Sequence, residues 1–214
     1  PSIAYMAFPI GNIIIFQGFT LLINSFFGPT NLILFNTTRT MVNFIRTMIQ
    51  TITSAIKPEF TLAFGRKDYN FMKQIHRKTL LSCFTLSIII SIFFLIAGPL
   101  IYKIWTSDKI EFHYILMLNL AFAMILNSIW EASGATLMST NNHIGLGRIY
   151  IISSVLSISI GFISSKYLES LNFTALSLSI CDLFMSMYAV RKALSLTKDN
   201  FSIKKWNHIP KSVL

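Results

Sequence analysis

Charge is scarce in this chain. Only 12% of its 214 residues are charged, whereas 53% are hydrophobic and the mean hydropathy is +0.62. A soluble domain carries about 25% charged residues. So little polar surface cannot cover a water-soluble globule, and lipid is the environment that the composition fits. Cysteine is scarce as well. Cys83 and Cys181 lie far apart inside apolar runs, which excludes a disulfide framework and suits two small packing residues. His76, His113, His143 and His208 share no spacing that would bring two onto one helix face, so no metal site is indicated. The phosphate-binding glycine loop, the nucleophile elbow and the zinc-binding helix motif are all missing. Enzymatic chemistry therefore has no visible home, and no cofactor is implied.

What is present is apolar length. Six stretches are long enough to cross about 30 Å of hydrocarbon, at approximately 3–27, 31–56, 79–103, 113–139, 146–165 and 173–190. Turn signals separate them at Gly28-Pro29, Lys57-Pro58, Ser107-Asp108, Asn141-Asn142 and the 168–172 segment. The expected architecture is all-α, a polytopic bundle of six transmembrane helices over 1–190 with a basic tail over 191–214. Residues 1–27 lack the basic start of a signal peptide, and their apolar run is too long for one. The chain opens on Pro1 rather than Met, as a fragment or a processed product does.

A formal net charge of +10 would suit a nucleic-acid binder, but the cations follow topology instead. With the N-terminus in the cytoplasm, Lys57, Arg66, Lys67, Lys73, Arg77, Lys78, Arg148 and the tail cations all fall on the cytoplasmic side. Only Lys103, Lys109 and Lys166 fall opposite. The positive-inside rule thus places both termini in the cytoplasm, and the charge implies contact with anionic lipid rather than nucleic acid. Within 60–78, Asp68 can cap a short helix with Phe71, Met72 and Ile75 on one face and cations around the rest. An interfacial helix in the headgroup layer fits this pattern; a solvated basic loop is the alternative.

The second span is unusual. Asn36, Arg39, Thr40, Asn43, Arg46, Thr47, Gln50 and Thr53 recur every three or four residues and form one polar stripe on a helix. An arginine near mid-depth costs at least ~2.5 kcal/mol if it faces lipid. The stripe therefore faces a water-filled cavity or a buried partner. Glu131, on a face with Asn119, Ala123 and Asn127, and Asp182 are also deep. Two arrangements remain open, one with the arginines and acids paired to lock helices and one with a cationic vestibule for an anionic, hydroxyl-rich solute. In the first span Pro9 and Gly11 predict an interruption, either a hinge beside a cavity or a simple kink.

Several segments resemble a known family. They are Met6-Ala7-Phe8-Pro9-Ile10-Gly11-Asn12, Leu34-Phe35-Asn36-Thr37-Thr38-Arg39-Thr40, Asn43-Phe44-Ile45-Arg46, Lys57-Pro58-Glu59-Phe60, Phe64-Gly65-Arg66-Lys67-Asp68, His76-Arg77 and Ser139-Thr140-Asn141-Asn142-His143. Together they resemble the O-antigen type polysaccharide flippases of the multidrug/oligosaccharidyl-lipid/polysaccharide exporter superfamily. The resemblance implies one half, the C-terminal one, of a two-bundle exporter in the cytoplasmic membrane. It implies alternating access without ATP hydrolysis and a polyprenyl-diphosphate-linked oligosaccharide as cargo. By position Arg39 and Arg46 would hold the anionic head, and Asn36, Asn43 and Gln50 would bond sugar hydroxyls. Asp182 and Glu131 would couple an ion or orient the arginines, and Pro9 and Gly11 would form the hinge. The partner implied is a missing N-terminal half or a second copy. A drug/cation antiporter of the same superfamily and a non-transporting accessory protein are the competing readings.

Overall fold

The computed structural model describes residues 5–199. Its elements are all helices: α1 (Ala7–Gly65), α2 (Tyr69–Thr106), α3 (Tyr114–Ser139), α4 (Ile144–Ile163) with a π turn continuing it (Ser164–Leu168), α5 (Leu171–Leu176) and α6 (Leu178–Leu196). Five helical stretches, 7–65, 69–106, 114–139, 144–168 and 171–196, are long and apolar enough to cross a membrane.

Helix α1 has 59 residues, which would measure about 90 Å if straight. It breaks at Gly28, whose φ of 79° and ψ of 176° only glycine adopts cheaply, and Pro29 then presets the first turn of the next arm. The arms, residues 7–27 and 29–65, fold back on each other. Arg39 reaches the Phe16 carbonyl and Thr20, and Arg46 reaches Asn12. Other helices also end where turn signals predict. Ser107 and Asp108 turn in the left-handed region after α2, Asn141 does so after α3, and Glu169 after the π turn.

Three expectations need correction. Lys57-Pro58 does not end a helix, because α1 runs through Pro58 to Gly65. Thr61 just beyond it donates to the carbonyls of Lys57 (3.1 Å) and Ser139 (3.2 Å), anchoring that turn to α3. Residues 60–78 are not a separate amphipathic helix. The chain turns at 66–68, so 60–65 close α1 and 69–78 open α2, which continues unbroken to Thr106. Asp68 still caps it, accepting the Phe71 amide at 3.0 Å. Met72 and Ile75 are buried there and Phe71 is exposed. Third, Pro9 and Gly11 do not interrupt α1, where Gly28 is the one non-helical residue. Pro9 sits in the opening turn, where no intrahelical amide bond is lost. Gly11 serves close packing instead, since a Cβ there would lie 2.6 Å from the Tyr150 ring.

Helix α3 is the centre of the bundle, packed against α1, α2 and α6. Its run Ala132-Ser133-Gly134-Ala135-Thr136-Leu137 is buried on every side, and small residues let the neighbouring helices approach. The exterior is the reverse. On α2 the residues Ile89, Phe93, Ile96, Leu100 and Ile104 are exposed at helical spacing, Ile96 to 77%. Such a stripe would drive aggregation in water and is at home against acyl chains. The chain is a polytopic membrane protein.

At the end of the bundle where α2 begins, Asp199 accepts Arg77 Nε and Nη2 at 2.7 Å each and Lys73 Nζ at 2.9 Å. This clamp ties the start of α2 to the chain leaving α6. Residues 200–214 of the basic tail lie outside the described residues. Burial raises the Asp199 carboxyl, but the hydrogen bonds from Arg77 and Lys73 outweigh it and hold it below the usual carboxylate range. Its stabilisation is therefore present above the unfolded value of about 3.9 and is lost as pH falls through the depressed one. Asp199→Ala should lower the thermal midpoint in detergent at pH 7 through a loss of roughly 1.5–3 kcal/mol. The gap to the parent protein should close in strong acid, and equal midpoints at pH 7 would rule the clamp out.

Candidate functional site

The polar stripe on the second arm of α1 divides by partner. Thr40 and Thr47 are exposed and donate back to the carbonyls of Asn36 (2.8 Å) and Asn43 (3.1 Å), so they satisfy their own helix. Arg39 is buried in the hairpin. Its Nη1 donates to the Phe16 carbonyl at 3.1 Å, and its Nη2 donates to Thr20 Oγ1 at 3.1 Å and Asn36 Oδ1 at 2.7 Å. The guanidinium carbon also lies 3.7 Å from the Phe16 ring centroid and 5.0 Å from that of Phe35. Neutral acceptors and π faces thus hold this cation. Asn36 is engaged in that task.

Arg46, two turns further on, is held far less. Its Nη1 makes a long hydrogen bond, 3.3 Å, to Asn12 Oδ1, the Tyr150 hydroxyl is a second side-chain partner, and its buried Nε has no hydrogen-bond partner. It lines two neighbouring concavities. The outer cleft, about 390 Å³, is bordered by Arg46, Gln50, Lys57, Glu131, Asn12 and Tyr150 among others. The inner cavity, about 50 Å³, has Arg39, Asn43, Arg46, Asn127 and Asp182 as its main polar lining, room for a few waters. Asn12, Arg46 and Tyr150 border both.

The acids do not pair with the arginines. Among the described residues the salt bridges are Lys73–Asp199, Arg77–Asp199 and Lys103–Asp108. Asp182 Oδ1 instead accepts Asn127 Nδ2 at 3.0 Å and Trp130 Nε1 at 2.8 Å. Glu131 Oε1 accepts Gln50 Nε2 at 3.3 Å. Each carboxylate is therefore oriented by neutral donors from neighbouring side chains, and each guanidinium by neutral acceptors. Neither acid forms a direct salt bridge with Arg39 or Arg46 among the described residues, although Arg46 lies near enough to act on Asp182 through space.

Of the sequence candidates, Arg39, Asn43, Arg46 and Asp182 line the inner cavity, and Arg46, Gln50, Glu131 and Pro9 line the outer cleft. Asn36 and Gly11 line neither; Gly11 backs the Tyr150 ring. Lys57, Tyr150 and Trp130 are lining residues that sequence reasoning missed. The signal for Tyr150 and Trp130 was an aromatic with a polar handle inside an apolar span. Asn119, on the Glu131 face in the sequence reading, donates to the Asn172 carbonyl at 2.9 Å. No three His, Cys, Asp or Glu side chains among the described residues come together as a metal centre would need.

No protein-family model matches this chain, and no curated protein matches it. Among solved structures, the crystal structure of a MATE mutant superposes with a TM-score of 0.74 over 92% of this chain, at 13% identity. The chain spans 45% of that protein, less than half its length. At this identity the likeness is one of fold alone, to the part of that protein that the chain covers.

The two arginines should separate in a stability assay. Arg39→Ala removes three hydrogen bonds and two ring contacts inside the hairpin and should destabilise by roughly 2–4 kcal/mol. Arg46→Ala removes the long bond to Asn12 and the Tyr150 contact beside an open cleft and should cost less, about 1–2 kcal/mol. Thermal unfolding in detergent measures both, and similar losses would contradict the division of roles.

Proposed function

We propose that this chain is one half of a two-bundle exporter that flips a polyprenyl-diphosphate-linked oligosaccharide across the cytoplasmic membrane for surface polysaccharide biosynthesis. The observation that supports it most is Arg46, a cation in an open cleft with no carboxylate bound to it. In this reading Arg46 receives the diphosphate and Lys57 gathers it at the mouth. Asn43 and Gln50 bond sugar hydroxyls, while Arg39 and Asn36 keep the hairpin closed behind them. The polyprenyl tail stays in lipid, and alternating access moves the head without ATP hydrolysis. Ion coupling falls to Asp182 and Glu131.

The same reading makes each arm of α1 one membrane pass. Residues 7–27 rise about 31 Å as a helix, enough to span hydrocarbon. Six passes result, with both termini in the cytoplasm and the basic end of the bundle facing it. The polar cleft then needs a second bundle to shield it from lipid, supplied by an N-terminal half or by another copy. The 45% coverage of the structural neighbour agrees with a half.

The test is Arg46→Ala in the cells that carry this protein. It should reduce delivery of surface glycan by about ten- to a hundredfold, the equivalent of losing one charge-assisted contact of roughly 1.5–3 kcal/mol. Lipid-linked oligosaccharide should accumulate on the cytoplasmic face while the protein still inserts, and Arg46→Lys should retain part of the flux. Undiminished glycan export in Arg46→Ala removes this reading. Glu131 on the outer cleft and Asp182 on the inner cavity favour the runner-up, a drug/cation antiporter. That alternative gains if Asp182→Asn abolishes export of a cationic dye and leaves glycan untouched.

A further inference from the structure

A third concavity, of about 480 Å³, lies between α4 and α6 and shares no lining residue with the other two. On α6 the residues Cys181, Met185 and Ala189 are buried inward, whereas Phe184 and Met187 are 46% and 47% exposed. On α4, Tyr150 borders the cleft and its neighbour Ile149 borders this groove. The walls are Ile149, Phe184, Met187 and Tyr188, and Arg191, Lys192 and Ser195 stand along the last two turns of α6. Its size falls within the range of small-molecule sites. Tyr188 seats against α4 only because residue 145 is glycine, since a Cβ there would collide with the phenol hydroxyl.

Charge and depth run together along the groove. From Phe184 to Ser195 the helix rises about 16 Å, from an apolar stretch to two cations at the end of the bundle that also holds Asp199, Lys73 and Arg77. Arg191 and Lys192 are exposed, and neither joins a salt bridge among the described residues. Inorganic phosphate would use only the cations, and a zwitterionic lipid would gain little from them. A ligand with an acyl chain and a net negative headgroup uses both halves.

We propose that this groove binds an anionic phospholipid of the leaflet at the basic end, one acyl chain against Ile149, Phe184 and Met187 and the phosphate on Arg191 and Lys192. The inference is independent of what the cleft transports. The test is native mass spectrometry of the purified full chain in detergent with phosphatidylglycerol, phosphatidylcholine or inorganic phosphate added. One phosphatidylglycerol should be retained in preference to phosphatidylcholine, and phosphate should not displace it. Arg191→Ala combined with Lys192→Ala should weaken retention by about tenfold or more, and Phe184→Asn, two turns from either cation, should do so without touching them. The double variant Lys103→Ala, Lys109→Ala, at the opposite end, should retain the lipid as the parent does. Equal retention of the two lipids, displacement by phosphate, or unchanged retention in Arg191→Ala, Lys192→Ala would overturn the proposal.

Discussion

Inside a bilayer every polar group must find a partner within the protein or reach water. That constraint shapes α1 more than any apolar contact does. An arginine at this depth can be bonded by neighbouring dipoles or left open to a wet cavity, and the helix uses one solution at each position. Arg39 takes the first, closing the hairpin by bonding a carbonyl and a hydroxyl on the opposite arm and an amide on its own. Its grip across the arms needs them antiparallel, hence a reversal between them, and Gly28 followed by Pro29 supplies it. Arg46 takes the second solution, which requires the cleft to exist. Remove the reversal and Arg39 loses its two acceptors on the opposite arm; remove the cleft and Arg46 is stranded.

The rest of the bundle supports that arrangement. The small-residue run of α3 brings it close to its neighbours, and this proximity lets Asn127 and Trp130 on α3 reach Asp182 on α6. Tyr150 stands where the outer cleft meets the inner cavity, backed by the missing side chain of Gly11. At the basic end the Asp199 clamp and the Thr61–Ser139 contact fix how α1, α2, α3 and the end of α6 meet. The cleft is thus framed by rigid contacts at its back and at one end.

Local chemistry was the most legible part of this fold. Gly28-Pro29, Ser107-Asp108 and Asn141 mark turns because their conformations are decided within a few residues, and Asp68 caps its helix for the same reason. The polar stripe was legible as a stripe because its period is that of a helix. Proline misled twice. Pro58 lies in a helix that neighbours hold from outside, and Pro9 lies in a first turn where it disrupts nothing. The different roles of Arg39 and Arg46 were not legible, since their spacing makes them equivalent on the helix. Only the residues arriving from the first arm, Phe16 and Thr20 against Asn12, distinguish them. Lys57 was hidden for a related reason: in the sequence it is one more topological cation, and only the continuation of α1 through Pro58 brings it to the cleft mouth.

The unpaired charges of the cleft carry the deepest physical implication. Arg46 makes no direct salt bridge with Asp182 or Glu131; Asn127, Trp130 and Gln50 hold the acids while Asn12 and Tyr150 hold the arginine. Neutral partners orient a charge without cancelling its field, so the cleft keeps a strong local potential. A closed ion pair would have to be broken before a charged ligand could bind, and the buried charges left behind would penalise that step. Here Asn12 and Tyr150 orient the arginine, and Asn127, Trp130 and Gln50 orient the acids, so neither set of charges relies on a direct salt bridge with the other for its position.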